Sequence, residues 1–478
     1  MSFVASMTAI PLLTIFLSLL KVKVEHLRTI VPVLSWAQLA VLTCLCLPAF
    51  HGNILTLTFG SDLSIDKIGC CFLLLTNLVA AASSTHAAAT FFANEKLLKR
   101  GEEPQHERLY YMACALFVTA MSFVFFMDNL GLLWVSIEAT TLFSSALVYF
   151  SRDKHSLEAT WKYLIVCSVG IAFALLGIIL IFASSQHGAV PEGSMSIRLL
   201  IAHAKDLQPK LLQLGYIFCL LGFGTKAGVF PLHTWLPDAH SEAPAPASAL
   251  LSGALLNCAL YAIYQASEIV RLSDHAVLAT TIPVVWGALT ALAASLFLVY
   301  QTGIKRLWAY SSIENVGIML VAIGLGSAPL FFLQAFNHSI AKVALFLLSG
   351  NIIQSAGTKD LSQIRGVLQV SPTWGILFAS AAAAVTGMPP FGGFIAEWMI
   401  LSRAADTTQM VAAGILLFAL ALTFIAVSMH VGKILWGKPK HQNNIQSSIA
   451  SAAVPFILCI ISLLAGITSV PSIFMGSP

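Results

Sequence analysis

Apolar runs long enough to cross a membrane follow one another along almost the whole chain. A helix needs about 20 apolar residues to span the hydrocarbon core of a bilayer. The runs extend over 3–20, 30–50, 68–93, 109–127, 129–150, 160–184, 211–230, 247–267, 277–300, 304–325, 328–354, 373–400, 408–436 and 449–470. Only 10% of the residues are charged, compared with about 25% in an average soluble domain. The sequence therefore predicts an all-α polytopic membrane protein with about fourteen transmembrane helices.

The basic residues of the loops predict how the chain is oriented. Loops after odd-numbered runs hold about fifteen lysines and arginines, and loops after even-numbered runs hold about six. Cytoplasmic loops carry the excess of basic residues, so we expect both termini on the outer side of a bacterial or archaeal plasma membrane. The first run has no basic segment before it and no cleavage site after it, so we expect it to remain as a helix. Residues 196–207 are predicted to form a short surface helix.

Two of the predicted spans are interrupted by prolines beside an ionisable residue. The seventh span holds Lys226 and the twelfth holds Glu397. The interruptions lie at Pro231, Pro237, Pro389 and Pro390. Proline removes a helix hydrogen bond, and such a break is tolerated at membrane depth only inside protein or beside a water-filled cavity. Paired interrupted helices are typical of transporters that are built from two repeats.

The spacing of the interrupted spans predicts the repeat organisation. The two spans are five positions apart in the order of helices, so they cross the membrane in opposite directions. We therefore expect two inverted five-helix repeats, spans 4–8 and spans 9–13. The predicted units are an N-terminal group at 1–108, the repeats at 109–268 and 269–436, and a C-terminal helix within 437–478.

A carboxyl group lies in the middle of the fifth span, where Glu138 is flanked by apolar residues. A charge at this depth is costly unless an opposite charge lies nearby, and Lys226 is the candidate partner. The structural alternative is a static ion pair that holds two helices together. Apolar residues can often replace such a pair without loss of stability, so its presence favours a functional role.

Further ionisable residues follow in the second half of the chain. His338 and Lys342 are four positions apart, which places them on one face of the eleventh span. Both can exchange protons, although a lone membrane histidine is also a common packing residue. With Glu138, Lys226, Glu397 and Lys162, they form a candidate proton relay in which water bridges the gaps.

The nine cysteines show no spacing that is typical of a metal or iron–sulfur site. Nearly all of them lie inside apolar runs, where a free cysteine behaves as a small hydrophobic residue. We therefore expect no cofactor, metal or redox centre in this chain, and no catalytic residue. The formal net charge of +4 is small and scattered, so nucleic acid is not an expected partner.

Four segments of the chain resemble one family. They are Lys226-Ala-Gly-Val-Phe-Pro-Leu-His-Thr-Trp-Leu-Pro-Asp-Ala-His240, Lys305-Arg-Leu-Trp-Ala-Tyr-Ser-Ser312, His338-Ser-Ile-Ala-Lys342 and Gly387-Met-Pro-Pro-Phe-Gly-Gly-Phe394. They are similar to segments of the antiporter-like proton-channel subunits of respiratory complex I, Mrp-type cation/proton antiporters and membrane-bound hydrogenases. The resemblance covers nearly the whole chain. It implies fourteen helices, two inverted five-helix repeats, and discontinuous helices 7 and 12.

The resemblance also implies roles for single residues. It identifies Glu138, Lys226, Lys342 and Glu397 with the ionisable residues of the family's helices 5, 7, 11 and 12. A glutamate in the last of these positions is similar to the M-type subunit of complex I. The chain departs from the family at Asn257, where members commonly carry a lysine in helix 8. Asparagine can hold a water molecule but carries no charge, so the central link of the relay is expected to be either water-mediated or broken.

His233, His240 and Glu314 lie in or beside spans and are candidates to compensate for that departure. The pair Glu314-Asn315 and the run His240-Ser-Glu-Ala-Pro-Ala-Pro246 resemble the F-type membrane subunits of hydrogenase-4. By this resemblance we expect further antiporter-like membrane subunits, a nickel-iron hydrogenase and iron–sulfur subunits as partners in the bilayer.

Three functions remain open from the sequence. The first is a proton- or sodium-translocating subunit of a hydrogenase-like or complex I-like oxidoreductase, in which partner subunits carry the redox chemistry. The second is a non-redox transporter, either an Mrp-like cation/proton antiporter or the membrane subunit of a bicarbonate-uptake complex. The third is a structural subunit of a membrane arm that moves no ions, and Asn257 is the residue that favours it.

Overall fold

The computed structural model describes residues 2–20, 22–50, 55–56, 63–91, 103–186, 194–407, 409–439 and 449–474. Five of the basic loop residues used above to orient the chain lie outside these ranges: Lys21, Lys96, Lys99, Arg100 and Lys440. The described part is built almost entirely from helices, as expected where every backbone polar group must be satisfied inside a bilayer.

The membrane helices follow one another in chain order. Their bounds are α1 Ser2–Leu19, α2 Val24–Phe50, α3 Lys67–His86, α4 Glu103–Val124, α5 Leu130–Val148, α6 Lys154–Ser185, α7a Pro209–Ala227, α7b Trp235–Glu242, α8 Ala245–Arg271, α9 Ala276–Val299, α10 Ile304–Gly324, α11 Ala328–Ala356, α12a Pro372–Val385, α12b Gly392–Asp406, α13 Met410–Leu435 and α14 Ile449–Phe474. Helix α8 contains one π-helical stretch, Leu251–Leu255, and α3 continues into another, Ala87–Phe91. Strands β1 (Leu55–Thr56) and β2 (Ser64–Ile65) form a short antiparallel pair.

The predicted number of spans is confirmed. Ten helices in the described ranges are long and apolar enough to cross a membrane. The other four predicted spans correspond to the shorter α1, to α4, and to the interrupted pairs α7a/α7b and α12a/α12b. Each repeat, α4–α8 or α9–α13, has its broken helix in fourth place. Because the two broken helices are five positions apart, the repeats are inverted relative to each other.

The two broken helices extend further than the apolar runs predict. The seventh run ends at 230, whereas α7b continues to Glu242. The twelfth continues to Asp406 rather than to 400. An apolar run ends where polar residues begin. Helix α7b contains several polar residues, so a search for apolar runs does not include it. The predicted surface helix is confirmed as a helical turn, Ile197–Ala202, followed by a 3₁₀ turn.

Glycine permits both breaks. Helix α7a ends at Gly228, whose φ of 80° lies in the left-handed region that glycine adopts without strain. Gly387, with φ of 62°, is the second residue after α12a and also adopts the left-handed conformation. A Cβ at this second glycine would collide with the carboxyl group of Glu397. The break in helix 12 therefore also makes room for the ionisable residue that follows it.

Helices α6 and α7a approach each other through glycines. A Cβ on Gly177 would lie 2.6 Å from the carbonyl oxygen of Gly215, and a Cβ on Gly215 would lie 2.8 Å from the carbonyl oxygen of Gly177. Small residues at such a contact let two membrane helices pack backbone to backbone. This close contact fixes α7a, and with it Lys226, against α6.

We expect Gly177→Ala to lower the free energy of unfolding by about 1–3 kcal/mol, because the added methyl group forces the α6 and α7a backbones apart. The measurement is the apparent melting temperature of the detergent-solubilised protein. Gly414→Ala in α13 is the matched control, because a Cβ there meets no atom within 4 Å. Equal melting temperatures for the two variants would contradict the role of the contact.

Candidate functional site

The first lysine site lies at the end of α7a. The Lys226 side chain is fully buried, and its Nζ donates to Thr141 Oγ1 at 2.8 Å and to Tyr163 Oη at 2.6 Å. The Tyr163 hydroxyl is in turn 2.6 Å from Ser144 Oγ. The buried ammonium group thus rests in a cage of neutral hydroxyl groups from α5 and α6.

Glu138 reaches Lys226 indirectly. The Thr141 hydroxyl that accepts from Lys226 is 3.4 Å from Glu138 Oε2, and Ser168 Oγ donates to Glu138 Oε1 at 3.2 Å. Among the described residues the direct Glu138–Lys226 ion pair expected from the sequence is not formed, and one hydroxyl lies between the two charges. The Glu138 side chain is only partly buried, so it lies at the outer edge of this site.

The second lysine site lies in the middle of α11. The Lys342 side chain is fully buried, and its Nζ donates to the carbonyl oxygen of Trp308 on α10 at 2.9 Å. The same ammonium group lies 5.7 Å from the centre of the Trp308 ring, within the range of a cation–π interaction. Both buried lysines therefore contact an aromatic residue and neutral oxygen atoms.

Glu314 and Glu397 are connected through the side-chain amide groups of Asn315 and Gln334. Asn315 Nδ2 donates to Glu314 Oε2 at 2.7 Å, and Gln334 Nε2 donates to Asn315 Oδ1 at 2.9 Å. The Gln334 side chain also faces the carboxyl group of Glu397 on α12b. The structure thus brings these two predicted carboxyl groups into one polar network.

Asn257 lies on α8, two residues after the end of its π-helical stretch. Its Nδ2 donates to Ser339 Oγ on α11 at 2.9 Å and to the carbonyl oxygen of Gly253 at 3.1 Å. Its Oδ1 is buried and has no hydrogen-bond partner among the described residues. The asparagine therefore joins α8 to α11 and keeps one acceptor available.

The three predicted histidines are buried in this region. Neither ring nitrogen of His240 on α7b has a protein hydrogen-bond partner within the described ranges, and the His338 ring on α11 faces the backbone of Ser252 on α8. The His240 ring stacks on Phe346 with 4.9 Å between ring centres. His233 lies in the break of helix 7 among Phe230, Phe297 and Tyr310. Buried ring nitrogens of this kind normally bind water or protein.

Lys162 lies apart from the buried groups. Its side chain is 49% exposed and forms ion pairs with Glu158 at 2.7 Å and with Asp238 at 3.2 Å. This position near the start of α6 differs from the mid-membrane place that a relay residue would occupy. Pro231 lies in the break of helix 7, and Pro389 and Pro390 lie in the break of helix 12, as predicted. Pro237 does not interrupt a helix as expected, because it lies in the first turn of α7b, where a proline is tolerated.

The residues that hold the lysines were not found from the sequence. Thr141 and Ser144 follow Glu138 at helical spacing, which is a weak signal for a polar face of α5. Tyr163 and Trp308 gave no signal, because an aromatic residue in an apolar run is most often a packing residue. Gln334 lies one turn before His338 and shares a face of α11 with it, as the spacing of four shows.

Comparison with known proteins shows which family the chain is similar to. The family described as NADH:quinone oxidoreductase/Mrp antiporter, transmembrane, matches residues 127–423. The chain is 37% identical over 389 residues to the hydrogenase-4 component F homolog of Methylacidiphilum infernorum (isolate V4), with 80% of each sequence covered.

Two solved structures share the fold. A chain of the membrane-bound sulfane sulfur reductase, an archaeal respiratory membrane complex, superposes with a TM-score of 0.85 at 22% identity, covering 98% of this chain and 95% of that one. A chain of the Mrp complex from Dietzia sp. DQ12-45-1b gives a TM-score of 0.84 at 21% identity, covering 98% and 94%. The family match covers more than half of the chain and includes both lysine sites. This chain therefore belongs to the NADH:quinone oxidoreductase/Mrp antiporter family of membrane subunits.

Proposed function

We propose that this chain is the ion-translocating membrane subunit of a hydrogenase-like or complex I-like oxidoreductase. Redox chemistry in partner subunits would drive ion movement here, through buried groups on α5, α7a, α11 and α12b. The ion is a proton or a sodium ion, and the partners include other membrane-arm subunits, a nickel-iron hydrogenase and iron–sulfur subunits. We further propose that the chain itself holds no cofactor.

One observation carries this proposal. Lys226 and Lys342 are both fully buried, and the hydrogen bonds described for their ammonium groups go to neutral oxygen atoms. A buried charge is expensive unless it is compensated. A lysine held by neutral groups can lose its proton without leaving an unpaired carboxylate behind. Two such lysines in a broken-helix bundle are suited to passing a proton rather than to static pairing.

Several buried polar atoms on α7b, α8 and α10 need further partners. Buried atoms without a hydrogen-bond partner among the described residues include both ring nitrogens of His240, Asn257 Oδ1 and Ser311 Oγ. Buried polar atoms are nearly always hydrogen-bonded, and ordered water supplies the bond where protein does not. We therefore expect a row of ordered water molecules along these residues in a high-resolution map of the assembled complex.

The ion pairs at one end of the bundle support the proposed orientation. Lys162, Arg306 and Lys359 lie in or beside the segments that follow spans 5, 9 and 11, all of them odd-numbered. They pair with the acidic residues Asp238 and Glu242 of α7b. These segments therefore share one face, which we assign to the cytoplasm, with both termini on the opposite side.

The test of this function is to isolate the complex through a tag on this chain and to identify the subunits that co-purify. Inverted membrane vesicles would then be supplied with hydrogen gas or with NADH, and a pH-sensitive dye and radioactive sodium would report which ion moves. Hydrogenase and iron–sulfur subunits together with ion uptake support the proposal. A complex without redox subunits that exchanges sodium for protons would instead identify an antiporter.

Substitutions of Asn257 distinguish a subunit that moves ions from a purely structural subunit. We expect Asn257→Leu to slow ion movement by about tenfold or more, because leucine cannot bind a water molecule as Asn257 Oδ1 can. Asn257→Ser keeps a polar group and should retain most of the activity. The measurement is the initial rate of dye response in the same vesicles. An unchanged rate in the leucine variant would show that ions do not pass this point.

A further inference from the structure

Asp238 lies at the junction of three helices from both repeats. Its carboxylate pairs with Lys162 on α6 at 3.2 Å and with Arg306 at the start of α10. Helix α7b, which carries Asp238, has eight residues and is separated from α7a by the break at 228–234. The break leaves α7b without a continuous helical connection to α7a, so its side-chain contacts help to set its position against α6 and α10.

The ion pair between Asp238 and Lys162 lies close to the Lys226 site. Lys162, which pairs with Asp238, is the neighbour of Tyr163, which accepts a hydrogen bond from the Lys226 ammonium group. One turn before Asp238, the Trp235 ring lies 4.8 Å from the Tyr163 ring, and its Nε1 donates to the carbonyl oxygen of Thr225 at 2.9 Å. A shift of α7b against α6 would therefore move one wall of the Lys226 cage.

The ion pair between Asp238 and Arg306 lies close in sequence to the residue that binds Lys342. Arg306 is two residues before Trp308, whose carbonyl oxygen accepts from the Lys342 ammonium group. Lys305, the neighbour of Arg306, donates to the carbonyl oxygen of Ala243 directly after α7b at 2.6 Å. The start of α10 is thus attached to α7b by two adjacent basic residues, and the anchor of Lys342 lies within the next turn.

We propose that Asp238 is a positioning residue that couples the two lysine sites across the repeat junction. The inference rests on the proposed function. The carboxylate holds α6 and α10 to α7b at the same time, so a displacement at the Lys226 cage is transmitted to the Trp308 carbonyl group. Lys162, predicted from the sequence as a relay residue, acts here as one of the two cations that hold Asp238.

The competing explanation is that Asp238 only stabilises the fold. The solvent exposure of its ion pairs with Lys162 and Arg306 distinguishes this explanation from a coupling role. The side chains of Lys162 and Arg306 are 49% and 40% exposed, and half-exposed ion pairs contribute little to stability. Loss of the Asp238 charge should therefore leave the complex assembled while it changes ion movement per electron.

The experiment compares variants of the whole complex in inverted membrane vesicles, with electron transfer, dye response and the amount of assembled complex measured on each. Asp238→Asn should lower ion movement per electron by about threefold to tenfold with assembly and electron transfer kept. Asp238→Glu keeps the charge and should restore the ratio. Glu268→Gln is the matched control, because Glu268 pairs with Arg271 at similar exposure, 23% against 22%, away from both lysine sites.

A double-mutant comparison supplies the second arm. If Asp238 acts through Arg306, the combined Asp238→Asn and Arg306→Met variant should be no worse than Asp238→Asn alone. Additive losses, an unchanged ratio in Asp238→Asn, or a loss explained by less assembled complex would each overturn the role of Asp238.

If the unmodified complex moves no ions, the proposed function itself falls. If Lys226→Met abolishes movement and Asp238→Asn does not, only the coupling role falls.

Discussion

Replacing Lys226 by methionine is expected to abolish ion movement through this chain. Methionine has a similar length and fills the same space, so the cage formed by Thr141 and Tyr163 should keep its shape. The variant removes the one group in the cage that can carry a positive charge between α5 and the centre of the bundle. We expect ion movement per electron to fall to below about a tenth of the unmodified value.

A second substitution at the same position separates charge from proton exchange. Lys226→Arg keeps a positive charge but does not release a proton, because arginine stays protonated in proteins. If the lysine carries protons, this variant should be as inactive as the methionine variant. Lys210→Met is the control, since Lys210 is an exposed lysine on the same helix. Ion movement at the unmodified rate in both Lys226 variants would exclude the lysine from the path.

Replacing Glu397 by glutamine is expected to have the next largest effect. Glutamine has the same shape and can keep the contact with Gln334, but it cannot bind and release a proton. The buried carboxyl group lies against Gly387 in the break of helix 12, at the far end of the network that begins with Glu314. We expect a loss of about tenfold or more in ion movement with the complex fully assembled.

Two comparisons make this prediction specific. Glu25→Gln removes an exposed carboxylate at the start of α2 and should leave the rate unchanged. Gly387→Ala should reproduce the effect of Glu397→Gln, because the added methyl group displaces the carboxyl group from its place. A normal rate in Glu397→Gln, measured by the dye response at equal amounts of complex, would show that ions leave the bundle elsewhere.

The sequence was sufficient for the properties that depend on local pattern. The bilayer demands helices of a certain length with their backbone groups satisfied internally, so apolar runs predicted the spans. Pro231 and Pro389 marked the two broken helices, since proline cannot continue a helix hydrogen-bond ladder. The family resemblance rested on the same segments and is confirmed by the match over residues 127–423.

Those local patterns could not predict which side chains on different helices contact each other. Glu138 and Lys226 have opposite charges and lie in the same repeat, which suggested a direct ion pair. The helices are placed so that Thr141 lies between them instead. Likewise Lys162 lies in an apolar context in the sequence, but its place near the start of α6 lets its long side chain reach Asp238 at the surface.

The membrane location, the number of spans, the two breaks and the kinds of ionisable residue within the spans could all be predicted from local sequence patterns. Which of those residues meet depends on the packing of the helices. Contacts such as Trp308 with Lys342, or Asn257 with Ser339, join residues far apart in the chain. Their formation depends on how closely the helices cross and where each helix is broken, and no local pattern contains that information.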